Sequence, residues 1–221
     1  MRICWMMGFA VLLCTSSMAA QEGKTPEWSF KIAPTSLIDP FLPSAHLAVA
    51  WNLGNNTALQ LEGGPIFNLS ATSNTRFNTR GYRLRPAVRF YNFADIPSAY
   101  VEIMFIARVA NIDVDADVLI EATSGATYFQ RIAYGVDAHK FALLVNLGGR
   151  SLIGGGFLVE YAVGAGAALR TFQTNGIPDN GRITATGLIN PWRPSQASER
   201  LLPEIGLYVN FGKAITYLPA D

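Results

Sequence analysis

Ten ionisable residues carry most of the chemistry available to this chain: Lys31, Glu62, Arg83, Arg85, Arg89, Glu102, Arg108, Glu160, Arg170 and Glu204. Each sits at a polar position in a segment whose apolar residues alternate, so strands would gather all ten on one face. Opposite charges held in a narrow interior should pair, because an unpaired charge away from water is costly. Such a cluster has two readings. One is a structural plug of salt bridges that fills the interior; the other is a constricted ion path gated by bridges that exchange partners.

Catalytic readings have less to stand on. A lipid-directed hydrolase or acyltransferase needs a Ser–His or His–carboxylate arrangement, and neither His46 nor His139 has a serine motif beside it. Asp113, Asp115 and Asp117 alternate like the start of a calcium loop, with Glu121 nearby. They lack the glycine and the closing glutamate of an EF-hand, which leaves at most weak surface calcium binding. Gly154-Gly155-Gly156 and Gly164-Ala165-Gly166 read as strand glycines, since no helix follows either to cradle a phosphate. No catalytic residue, metal site or cofactor is expected.

Eight alternating segments position the charges: about Trp28–Pro34, Ser44–Leu53, Thr57–Phe67, Gly81–Phe93, Ser98–Arg108, Tyr128–Leu147, Leu152–Thr171 and Leu201–Ile215. The connections run to roughly 9, 3, 13, 4, 19, 4 and 29 residues. Long and short alternate, so every long connection falls at one end. That is the pattern of an eight-stranded antiparallel up-and-down transmembrane β-barrel, with tight turns on the periplasmic side and longer loops outside. Around Val136–Lys140 the alternation slips, which predicts a bulge or a rim where the strand leaves the membrane. Pro65 and Pro86 would each remove a ladder donor, so local bulges are expected there too.

Periodicity does not say which face points inward. In a soluble lipocalin-like barrel the apolar face lines the cavity. Here the polar face is rich in small residues, including Ala48, Ala50, Gly64, Ala87, Ala162, Gly164, Gly166 and Gly206. A solvated face would carry dense Lys, Glu, Ser and Thr instead. Small residues with a few charges suit the narrow lumen of eight strands, which favours a polar interior. Trp28, Trp51, Phe67, Phe90, Phe93, Tyr100, Tyr128 and Phe172 fall near segment ends, where interface girdles belong, although β-propensity alone enriches aromatics in strands.

Composition agrees: half of the residues are hydrophobic and 15% are charged, yet no apolar run is long enough for a spanning helix. Residues 1–20 read as a cleaved signal peptide, with Arg2, the apolar run Ile3–Leu13 and small residues before a cut after Ala19 or Ala20. Residues 21–221 then form the barrel domain, with the outer membrane as its location. Both cysteines, Cys4 and Cys14, lie in the leader, so the mature chain has no thiol chemistry. Without Arg2 the basic and acidic residues balance, and nothing favours nucleic acid as a partner.

Three segments carry a resemblance. They are Gly81-Tyr82-Arg83-Leu84-Arg85-Pro86-Ala87-Val88-Arg89-Phe90-Tyr91, the hairpin Tyr134–Tyr161 with its Gly148-Gly149-Arg150-Ser151 turn, and Pro203-Glu204-Ile205-Gly206-Leu207. In these the chain resembles small outer-membrane β-barrels of Bacteroidetes that carry the domain of unknown function DUF3575, and more distantly the OmpA-like transmembrane barrels. The resemblance implies the barrel and supplies no catalytic residue. Barrels of this type often end on an aromatic residue, whereas this chain runs past Phe211 to Asp221. No wall-binding domain is expected after the eighth segment. The expected partners are outer-membrane lipid and an extracellular ligand or protein met by the long loops, above all Thr171–Arg200.

Overall fold

The computed structural model describes residues 28–38, 42–54, 56–67, 76–96, 98–182 and 198–215. Residues 1–20, expected from the sequence to be a signal peptide, Asn190–Pro194 and the chain after Ile215 lie outside them. Nine strands form one antiparallel sheet: β1 (Trp28–Ile32), β2 (Leu47–Gly54), β3 (Thr57–Ile66), β4 (Arg76–Tyr91), β5 (Ala99–Glu121), β6 (Thr127–Ile153), β7 (Phe157–Asn175), β8 (Gly181–Arg182) and β9 (Ser198–Ile215). Eight of them close into an up-and-down barrel, each pairing with its chain neighbours, β7 with β9 and β9 with β1. The two-residue β8 stays outside the ring and pairs with Leu119 and Ile120 of β5. Both chain ends of the barrel and the tight turns share the near end; the longer connections share the far end.

Hydropathy sets the faces. On β5 the outward row Ile103, Phe105 and Val109 is exposed, while Glu102, Met104, Ile106 and Arg108 on the other row are buried. On β9, Ile205 is 81% and Leu207 70% exposed, whereas Tyr208 is buried at 8%. The barrel therefore carries its apolar row outside, the reverse of a soluble ligand-carrying barrel. Small residues make room within. A Cβ on Gly148 would lie 2.3 Å from the Tyr100 ring, and one on Gly149 2.5 Å from the Tyr161 ring. These two glycines are seats for aromatic rings rather than turn formers.

Several local expectations are corrected. The β6–β7 turn is Gly154–Gly156, not Gly148–Ser151; Gly155 and Gly156 have φ of 76° and 77°, a left-handed conformation that glycine adopts freely. The third long connection is largely hairpin, because β5 and β6 stay paired from Ala99↔Gly149 out to Glu121↔Thr127. Asp113, Asp115 and Asp117 are consequently strand residues on an outward row, not a loop. No bulge occurs at Val136–Lys140, where pairing with both neighbours keeps one register. What changes there is the chemistry of the faces: Tyr134, Val136 and Ala138 turn inward and Asp137 and His139 outward.

Both prolines are absorbed without a register shift. Pro86 costs only the Arg85–Pro86 part of the ladder with β5. Pro65 lies beyond the last β2 rung, where its carbonyl accepts from Ala45 N at 3.2 Å. The register shift in the β2–β3 hairpin is at Asn52/Gly54. Two of the aromatics expected in girdles, Tyr100 and Phe172, are buried instead at 1% and 6% exposure.

Candidate functional site

All ten charged residues named from the sequence lie on inward rows, and they fall into tiers along the barrel. Nearest the near end, Glu160 of β7 receives Lys31 Nζ of β1 at 2.9 and 2.8 Å and Arg89 Nη1 of β4 at 2.6 Å. Arg89 Nε also donates to Glu102 of β5, whose second oxygen accepts from Asn146 Nδ2 of β6 at 2.8 Å. Lys31 donates further to Gln60 Oε1 of β3 at 2.7 Å. One connected network thus draws on six of the eight ring strands. Arg89, Glu102 and Glu160 are each 1% exposed, and the Arg89 guanidinium lies 4.6 Å from the Tyr100 ring centre.

The next tier centres on Glu62. Its Oε1 is 2.7 Å from Arg85 Nη1 and 2.6 Å from His46 Nδ1, an arrangement that puts the histidine proton on Nδ1. Arg85 also covers the Tyr208 ring at 5.0 Å. A third tier has Glu204 between Lys140 Nζ at 2.5 Å and Arg170 Nη2 at 2.9 Å. Arg83 and Arg108 are buried at the same level, Arg83 donating to the Leu42 carbonyl at 3.1 Å. His46 is therefore a partner of Glu62 with no serine in the pair, and His139 faces outward. Among the described residues no group of three His, Cys, Asp or Glu could hold a metal ion.

Beyond the third tier the interior becomes apolar. Leu42, Ile66, Ala110, Val114, Val118, Ile120, Tyr134, Val136, Ala138 and Phe172 form one buried cluster, with Ile177 packed against it. Over the same stretch the outward face turns polar. Arg80 bridges Asp113 at 3.1 Å, Arg131 bridges Asp115 at 2.9 Å, and Asn111 and Asn175 both donate to Asp137. Inside and outside exchange character across Val109–Asn111 while the backbone phase stays fixed. At the near end, Arg150 stacks 4.3 Å over Tyr91 beside a cavity of ≈ 10 Å³, room for about one water.

Sequence reading missed Lys140, Gln60 and Asn146. Lys140 was hidden by the apparent slip in alternation. Gln60 and Asn146 are uncharged and became visible only through the partners that other strands supply. Compared with known proteins, the chain matches no family model, no curated protein and no solved structure.

Proposed function

We propose that the protein is a non-enzymatic outer-membrane β-barrel whose lumen is closed by paired charges and whose far end is a surface for recognition. The apolar belt carries this reading. Phe30, Leu47, Leu61, Leu84, Ile103, Leu143, Val163 and Leu207 are all between 45% and 70% exposed and lie on strands all round the ring. Soluble monomers rarely expose contiguous apolar patches beyond a few hundred Å², whereas a bilayer core requires such a surface. The polar outward tier of Asp113, Asp115, Asp137 and Arg80 then stands in water above the membrane. No helix among the described residues is long and apolar enough to cross a membrane, so strands would do the crossing.

Closure of the lumen favours a plug over an ion path, since the near tier joins six strands and the far end is packed with apolar side chains. Membership of the small Bacteroidetes barrel group is part of the same proposal and rests on the three segments quoted above. Fractionation tests it directly. The protein should be recovered with outer membranes and run faster on SDS gels before boiling than after. Recovery in the soluble periplasm, with no heat-dependent shift, would refute it.

A further inference from the structure

The β5–β6 hairpin outruns the wall beside it. β7 leaves β6 at the Gly135↔Asn175 rung, whereas β6 stays paired with β5 out to Glu121↔Thr127. Over residues 127–133 one edge of β6 therefore has no strand partner among the described residues. Gly176, with φ of 91°, turns the chain off this edge, so that Ile177 packs into the apolar cluster. The chain then leaves β8 at Arg182, on the opposite edge of β5, and resumes at Ser198, opposite Phe172 on the other edge of β7. Neither anchor lies on the free edge.

Exposed edges are normally blunted by proline, bulges or charges, because their unpaired N–H and C=O groups template another strand. Residues 127–133 contain no proline or glycine, and their register with β5 has no bulge. Their one charge, Arg131, is turned onto Asp115 at 2.9 Å. Two aromatics flank the open ladder, Tyr128 on the inward row at 50% exposure and Phe129 on the outward row at 63%. Phe129 stands ten residues beyond His139, the rung of the last belt residue Val109. At about 3.3 Å per residue and a tilt of about 40°, that is about 25 Å above the belt. Asp113, Asp115 and Asp117 lie between, so these rings are not membrane anchors.

Donors and acceptors alternating at strand spacing are matched by another polypeptide backbone, and aromatic side chains beside them supply anchors. A second copy does not fit. Two barrels standing the same way up in one bilayer present edges tilted by about 40° in opposite senses, which cross instead of lying side by side. Charge narrows the partner further: the hairpin's outward row carries Asp115, Asp117 and Glu121 against Arg131 alone. We propose that residues 127–133 take up an extended segment of a partner protein as an added antiparallel strand. Its apolar row lies beside Tyr128 and Ile132, and a basic residue lies over the Phe129 ring. This occupant gives the recognising far end its partner class and rests on that reading.

The test titrates the purified barrel, in an uncharged detergent, with a fluorescent nine-residue peptide that alternates valine with threonine and carries one arginine at the centre of the threonine row. A control peptide of the same sequence has every backbone amide methylated, which keeps the side chains and removes the ladder. The variant is Phe129→Ala, at an exposed position that leaves the fold intact. Saturable binding is expected, weakened tenfold or more by methylation and by Phe129→Ala. Amides of 127–133 that exchange fast in the free protein should slow when the peptide is bound. No saturable binding, or wild-type affinity in Phe129→Ala, would overturn strand addition at this edge. Equal binding of the methylated peptide would also overturn it and leave a recognising far end standing. Slow exchange at all of 127–133 before peptide is added would mean that this chain covers its own edge, and dimers lost in Phe129→Ala would mean that a second copy does; either overturns the proposal. Protein recovered as soluble but still binding the peptide would fail the membrane reading and leave the edge site standing.

Discussion

Glu160→Ala isolates the energetics of the closed lumen. The carboxylate is 1% exposed and accepts from Lys31 Nζ at 2.9 and 2.8 Å and from Arg89 Nη1 at 2.6 Å. Removing it leaves two cations in a tier with Glu102 as the remaining carboxylate, and breaking a buried pair from one side costs about 3–5 kcal/mol. Glu160→Gln preserves the shape but not the charge, so most of that cost should remain. Asp113→Ala is the internal control. Its partner is Arg80 at 3.1 Å, the two side chains are 75% and 60% exposed, and exposed pairs contribute about 0–1 kcal/mol. Urea unfolding in lipid vesicles, followed by tryptophan fluorescence and by heat-dependent mobility, measures both. A loss in Glu160→Ala no larger than in Asp113→Ala would mean that water screens the tier, and the closed lumen would be refuted.

Leu143 is 56% exposed in the outward belt, so Leu143→Arg should cost about 2–4 kcal/mol in vesicle unfolding if that position lies near the bilayer midplane; a neutral result would remove the belt from the membrane. Gly148→Ala puts a Cβ 2.3 Å from the Tyr100 ring and should cost about 1–3 kcal/mol by overpacking, measurable as a lower urea midpoint, with Tyr100→Ala relieving the clash in the double variant. An epitope inserted at Ser124, in the exposed turn between β5 and β6, should be stained on intact cells, and one at Gly155 only after permeabilisation; the opposite pattern would invert the topology. Ser124 is the better site than Asn180, whose carbonyl accepts from Glu121 N at 3.0 Å and whose side chain donates to the Glu121 carbonyl at 2.9 Å.

Strand number, pairing order and ten of the inward charges were legible because alternation is a local property and those ten residues all sit in phase with it. Contrasts within one strand were less legible. Along β6 the sequence changes from apolar-out to apolar-in between Phe141 and Val136, and pattern alone cannot separate such a change from a shift in backbone phase. Only continuous pairing with β5 and β7 decides it. The Gly148-Gly149 pair reads as a turn by composition, yet the glycines are there for rings supplied by β5 and β7. The register row of Arg83, Arg108, Lys140, Arg170 and Arg200 was invisible for a related reason. Its five members lie on five strands, and they become neighbours only when the register is known.

Spin labelling along β5 tests the central proposal in one measurement. Both cysteines precede residue 20, so single cysteines at positions 103, 104, 105, 106, 109, 113 and 117 of a chain prepared without residues 1–20 can be labelled without background. Collision rates with lipid-soluble oxygen and with a water-soluble nickel chelate then report the environment of each position in vesicles. Labels at Ile103, Phe105 and Val109 should meet oxygen, those at Met104 and Ile106 neither quencher, and those at Asp113 and Asp117 the nickel chelate. Nickel access at Met104 and Ile106 would contradict the closed lumen, and nickel access at Ile103, Phe105 and Val109 would contradict the membrane belt itself.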